Sequence, residues 1–201
     1  MDDTRTGKVS ALRRRFLSTA VATMGAAGVA ATAIPFVRSW QPSARARAAG
    51  APIEIGLDAI APGQQVLVTW RRKPVWVLRR TPEMLRRLRS AELEARLRDP
   101  DSEKDQQPEY AGNELRSIRP DILVVVAICT HLGCIPNFHP ETGKTRFDSR
   151  WPGGYFCHCH GSKFDFAGRV FKNVPAPLNL VIPPYRFTEK STVIVGEDPV
   201  A

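Results

Sequence analysis

All four cysteines and three of the four histidines of this 201-residue chain fall in two short segments. These are Cys129-Thr130-His131-Leu132-Gly133-Cys134 and Cys157-His158-Cys159-His160-Gly161-Ser162. This clustering constrains the fold more than any periodicity does, because the two segments must meet in space to act together. His131 follows Cys129 by two residues and His160 follows Cys157 by three, so each segment offers one thiolate and one imidazole. Two sulfur and two nitrogen ligands suit tetrahedral zinc or an iron–sulfur cluster. If the segments pack against each other, Cys134 and Cys159, one in each, are candidates for a bridge, which needs Cα atoms about 4.4–6.8 Å apart. Such bonds persist in oxidising compartments.

The amino-terminal region points to such a compartment. Phe16 to Val37 runs 22 residues without a charge. At ~1.5 Å per residue it spans about 33 Å, enough for a bilayer core of ~30 Å. The run is rich in Ala, Gly and Thr, and Arg13-Arg14-Arg15-Phe16-Leu17 leads into it. That string resembles a twin-arginine export signal, which serves proteins that have already folded. The basic flank keeps the amino terminus cytoplasmic. A cleaved signal and a retained anchor both fit; Ala44-Arg45-Ala46 offers a cleavage site, whereas the length of the run favours the anchor. Residues 38–50 are small and scattered in charge, as in a tether, with Trp40 suited to a membrane interface. The division is thus a cytoplasmic segment 1–15, an anchor 16–37, a tether 38–50 and an exported domain 51–201. The net charge of +9 largely brackets the apolar run, and the second basic cluster, Arg79 to Arg89, is followed at once by acidic residues. No reading element accompanies either, so nucleic acid is excluded as a partner.

From Ala51 the signals are mostly short strands. Pro52–Gly56, Gln65–Trp70 and Pro74–Arg79 read as β, with Arg71-Arg72-Lys73 as a hairpin turn. Thr81 reads as an N-cap with Pro82 at the first helical position. The helix is expected to run to about Arg98, with Met84, Leu85, Leu88, Ala91 and Ala95 on its apolar face. Pro100 to Pro108 reads as a surface loop. Leu123–Ile128, a continuous apolar run, reads as a strand buried on both sides and leads into Cys129. Tyr155-Phe156 leads likewise into Cys157. Phe164–Phe171, Leu178–Ile182 and Thr192–Val195 supply further strands. The fold class is small and all-β, with one helical insertion.

The two loops together resemble the Rieske [2Fe–2S] family, and the anchor, tether, insertion and strand order extend the resemblance over nearly the whole chain. Within that family the chain is most similar to the iron–sulfur subunits of ubiquinol–cytochrome c reductases. Soluble Rieske ferredoxins and ring-hydroxylating dioxygenases usually lack the anchor and the second cysteine pair. The resemblance implies an all-β Rieske-type domain of small antiparallel sheets, with a cluster-binding subdomain, on a single transmembrane helix. It implies one [2Fe–2S] cluster per chain, with Cys129 and Cys157 on one iron, His131 and His160 on the other, and Cys134 bridged to Cys159. It also implies a place in the bacterial inner membrane with the domain in the periplasm, in a dimeric complex with cytochrome b and a c-type cytochrome. In such a complex the subunit takes an electron and a proton from ubiquinol or a related quinol at His160 or His131.

Charge explains the ligand set. Two ferric ions, two sulfides and two thiolates sum to zero, where four thiolates would leave the site negative, so the His₂Cys₂ site accepts an electron more readily. The added charge then raises the pKa of the outer imidazole nitrogens, so electron and proton arrive together, as a quinol supplies them.

The residues around the ligands also follow the family. Gly161 and Ser162 follow His160, and the resemblance implies a bond from the Ser162 hydroxyl to a bridging sulfide. Relatives often have Tyr, bonded to a ligand sulfur, where this chain has Phe164. Leu132 is placed at the exposed tip. Val174-Pro175-Ala176-Pro177 resembles the proline-rich cover of the cluster, with Val174 where Gly is frequent. His158 stands where Pro is frequent and reads as an exposed non-ligand; His139 reads as an ordinary loop histidine. The competing readings are a Rieske subunit of another periplasmic oxidoreductase, such as an arsenite oxidase, and a zinc-stabilised exported module.

Overall fold

The computed structural model of the chain describes residues 10–44, 46, 50–189 and 191–199. Arg5 and Lys8 of the basic flank and Arg45 and residues 47–49 of the expected tether lie outside them. The chain divides into two compact units, Met1–Arg47 and Ala48–Ala201.

In the first unit, helix α1 (Ala11–Ser39) is long and apolar enough to cross a membrane. It starts before the arginine string rather than after it, because Ser10 caps it by accepting from the Arg13 N–H. Its hydroxyls turn back on the helix: Ser18, Thr19, Thr23 and Thr32 donate to the carbonyls of Arg14, Arg15, Thr19 and Gly28. Polar side chains satisfied in this way suit a lipid surrounding.

Among the described residues, the second unit holds nine short strands. They are β1 (Ile53–Gly56), β2 (Gln65–Trp70), β3 (Lys73–Arg79), β4 (Ile122–Val126), β5 (Asn137–His139), β6 (Gly154–Cys157), β7 (Ser162–Phe164), β8 (Tyr185–Glu189) and β9 (Thr192–Val195). They form three antiparallel three-stranded sheets, ordered β1-β9-β8, β2-β3-β4 and β5-β6-β7. β4 is buried along its whole length, as its unbroken apolar run predicts. The β2–β3 hairpin turns at Arg71 and Arg72, both at positive φ (48° and 62°), with Trp70 paired to Lys73. This is the two-residue turn whose twist matches the strands. Trp76 of β3 stacks on Tyr155 of β6, with centroids 4.6 Å apart, and so joins the second sheet to the third.

Four expectations need correction. The helix from Thr81 is two helices, α2 (Pro82–Leu88) and α3 (Ala91–Glu94). Thr81 caps the first as expected, but Ser90 caps a second by accepting from the Leu93 N–H, and this stops the first. The break rotates the inner face, so Leu93 and Leu97 are buried while Ala91 and Ala95 are exposed. After β7 the chain does not continue as a strand: Asp165 accepts from the N–H groups of Ala167 and Arg169 and turns it back. Residues 178–182 are irregular, held at Val181, whose carbonyl accepts from Val126 N–H at 2.8 Å. β5 and β8 were not expected, one being three residues long and the other mixing Arg and Thr with its aromatics.

Candidate metal centre

Three loops meet at one end of the second unit. The first joins β4 to β5 and carries Cys129 to Cys134; the second joins β6 to β7 and carries Cys157 to Gly161. In each, the N–H of the glycine four residues after the first cysteine bonds that cysteine's carbonyl, Gly133 to Cys129 at 3.0 Å and Gly161 to Cys157 at 2.8 Å. Both glycines take positive φ, 86° and 80°, which side chains rarely adopt. The two loops are thus built alike.

The third loop, residues 173–184, is clamped by one bond from the first loop and one from Ser162, the first residue of β7. Thr130 Oγ1 donates to the Leu178 carbonyl at 2.6 Å, and the Ala176 N–H donates to Ser162 Oγ at 3.0 Å. Arg98 braces it from the helical insertion, through its N–H to the Val170 carbonyl and its guanidinium to the Val174 carbonyl. Pro175 and Pro177 are exposed, while Val174 and Ala176 turn inward. Val174 needs no glycine-like backbone, because the positive φ of this loop falls on Asn173. Thr130 and Arg98 were not singled out in the sequence, since their roles rest on partners 48 and 76 residues away.

The disulfide Cys134–Cys159 joins the first two loops, with Cα atoms 6.7 Å apart. Cys129 and Cys157 are free thiols, each about 2% exposed. The sulfur of Cys157 lies within 4.8 Å of both disulfide sulfurs, so the bridge packs directly against a free thiol. His131 and His160 face each other edge to face, with ring centroids 4.7 Å apart. The thiols are buried, while His160 is exposed and His131 half-buried.

The electrostatics suit a bound cationic group. Burial pushes the Cys157 thiol up and Cys129 beside it adds to this, while the N–H groups of Cys159 and His160 aim at its sulfur and oppose the rise. A buried thiol whose pKa is raised in this way is released by a metal, which favours the thiolate. His131 Nδ1 is buried and has no partner among the described residues. Ser162 is fully buried and accepts from Ala176, which leaves its own proton free to donate. An unpartnered nitrogen, paired thiols and a free hydroxyl proton at one spot fit an iron–sulfur cluster with a sulfide acceptor.

Other sequence candidates lie around this group. Leu132 is 70% exposed, at the tip. Phe164 is fully buried and pairs with Tyr155 across β6–β7. His158 is exposed and its Nε2 lies 3.8 Å from the Cys159 sulfur, apart from the free thiols. His139 bonds Glu141 at 2.6 Å and packs edge-on against Phe147 and Phe156. The three loops, taken as residues 127–138, 151–162 and 173–185, contain no Asp, Glu, Lys or Arg, although 24% of the chain is charged.

Comparison with known proteins gives the family. The family profile for the ubiquinol–cytochrome c reductase Fe–S subunit TAT signal matches residues 4–43, and that for the Rieske [2Fe–2S] domain matches residues 101–185. The ubiquinol–cytochrome c reductase iron–sulfur subunit of Allochromatium vinosum is 52% identical over 94% of this chain and 91% of its own length. That of Blastochloris viridis is 42% identical over 92% and 93%. The mitochondrial Rieske subunit of the cytochrome b–c1 complex of Schizosaccharomyces pombe is 40% identical over 92% of this chain and 72% of its own. With two like-built loops, paired thiols and facing imidazoles, and with relatives matched from end to end, the chain belongs to the Rieske [2Fe–2S] iron–sulfur subunits of ubiquinol–cytochrome c reductase.

Proposed function

We propose that Cys129 and Cys157 hold the inner iron of the cluster and His131 and His160 the outer iron, with the domain on the periplasmic side of the bacterial inner membrane. When bound, the cluster accepts and gives up single electrons. What this chain's own residues do follows from their burial. The buried thiol side, sealed by the Cys134–Cys159 bridge and the proline loop, keeps water from the sulfurs. The exposed imidazole side meets the substrate. His160, the more exposed of the two, accepts the hydroxyl proton of a quinol through its free ring nitrogen and carries it off. Ser162 donates its proton toward the cluster, which favours the reduced state.

The single observation that carries this reading is the charge-free tip at which Leu132, His160 and the two prolines are exposed. A surface without charges docks into an apolar pocket with little desolvation cost. The residue 38–50 tether lets the domain reach cytochrome b to load and a c-type cytochrome to unload, within a dimeric complex.

The test is low-temperature EPR of membranes reduced with ascorbate, with and without an inhibitor of quinol oxidation. A signal of average g below 2 that the inhibitor shifts is expected. A signal indifferent to the inhibitor removes the quinol contact and leaves the cluster. No signal from metal-replete, reduced protein overturns the ligand assignment.

A further inference from the structure

We propose that Arg80 and Arg116, buried without an ion-pair partner among the described residues, hold the cluster's reduction potential up from the interior of the domain. The inference rests on the cluster assignment above.

Arg80 is 2% exposed and Arg116 0%. Both guanidiniums end on neutral acceptors. Arg80 donates to the carbonyls of Leu115 (2.8 Å), Ile122 (3.3 Å) and Phe166 (3.5 Å) and to Ser117 Oγ (2.5 Å). Arg116 donates to the carbonyls of Ala167 (3.1 Å), Gly168 (3.4 Å) and Gln106 (3.4 Å) and to Gln107 Oε1 (2.9 Å). Neither has an ion-pair partner among the described residues.

The carboxylates nearby are engaged elsewhere. Asp165, fully buried, is paired with Arg169 at 2.7 Å. Asp99 takes the N–H groups of Glu103 and Lys104, and Asp121 is paired with Arg119. Three buried guanidiniums and one buried carboxylate leave two positive charges in the interior. Burial lowers the pKa of Arg80 and of Arg116 to about 10, which keeps both charged at neutral pH.

Both charges converge on the turn 165–168, directly after β7. The first residue of β7, Ser162, is paired with Cys157. Three residues of chain separate Ser162 from Phe166, so their Cα atoms lie at most ~14 Å apart. Arg80 also faces Tyr155, two residues before Cys157. Charges in a low-dielectric interior act on one another with little screening by salt. The reduced cluster carries one more negative charge than the oxidised one, so two fixed positive charges favour reduction.

A purely structural role, satisfying carbonyls of irregular chain, is the competing explanation. Apolar replacements of buried charges are often tolerated or stabilising, so hydrogen bonding alone does not require charge here.

The test uses the full chain in its membrane complex, with EPR-monitored redox titration and thermal unfolding. Gln107→Glu places a carboxylate of nearly the same shape on the Arg116 guanidinium and cancels one charge without opening a cavity. Its midpoint potential is expected to fall, with the unfolding temperature lowered only by the loss of the amide's donations to the Ser102 and Lys104 carbonyls. Arg80→Met is expected to lower the potential, and Arg80→Lys to keep the potential near that of the unchanged chain despite lost hydrogen bonds. An unchanged potential in Gln107→Glu that retains its EPR signal overturns the proposal. So does an equal fall in Arg80→Met and Arg80→Lys, which marks a hydrogen-bonding role. Loss of the signal in the unchanged chain instead overturns the cluster assignment, so the two failures are distinct.

Discussion

Ser162 joins two tasks in one hydroxyl. Its oxygen accepts from the Ala176 N–H and so fixes the proline loop, while its proton is left free to donate toward the proposed cluster. Two positions on, Phe164 sits fully buried in the third sheet with no polar atom to offer. A hydroxyl donated to a ligand sulfur stabilises added negative charge. Phe164→Tyr is therefore expected to raise the midpoint potential in an EPR-monitored redox titration; an unchanged or lower potential removes the hydrogen-bond account. These residues were legible in the sequence because ligands and their neighbours keep a tight local spacing. Arg80, Arg116 and Thr130 were not, because their partners come from segments distant in sequence. Nothing in the local string marks an arginine at the end of an apolar strand as buried.

At the scale of elements, legibility followed the strength of the local signal. β2, β3, β4 and β9 stood out as runs of Val, Ile and Leu, and Thr81-Pro82 marked a helix start. The end of that helix was misplaced because Ser90 is compatible with a helix interior and decisive only as a second cap. The β2–β3 turn was located but not its strain. Arg71 and Arg72 both occupy left-handed backbone, and among the described residues only Arg71 gains a partner, lying over the Trp70 ring at 4.6 Å. Left-handed backbone costs a residue with a Cβ about 1–2 kcal/mol, offset in part when glycine's greater unfolded freedom is counted. Arg72→Gly is expected to stabilise the domain by about 1 kcal/mol, a rise of ~2–4 °C in unfolding temperature. Calorimetry checks it, and a fall in unfolding temperature means that the Arg72 side chain contributes more than its backbone costs.

At the scale of the whole molecule, the sulfur chemistry and the export route place opposite demands on four cysteines. On the proposed ligand assignment, Cys129 and Cys157 must be reduced when the cluster is loaded, and Cys134 and Cys159 must end oxidised within 4.8 Å of Cys157. The cytosol keeps thiols reduced and the periplasm does not. With the domain exported as proposed, a route that moves folded protein would separate the two events in time: cluster first in the cytosol, bridge afterwards. The bridge closes 25 residues of chain, worth about 3 kcal/mol against unfolding. Until export, then, the clamped proline loop, the bracing insertion and the cluster must hold the two loops together alone. Replacing Arg13 and Arg14 together by Lys is expected to leave the domain on the cytoplasmic side, as protease protection in spheroplasts reports. The retained protein should still show the cluster's EPR signal, while Cys134 and Cys159 react with a thiol-alkylating reagent. It should also unfold more easily than the exported form. A retained protein whose bridge is already closed contradicts this order, and would mean that loop packing alone drives Cys134 and Cys159 together against the reducing pool.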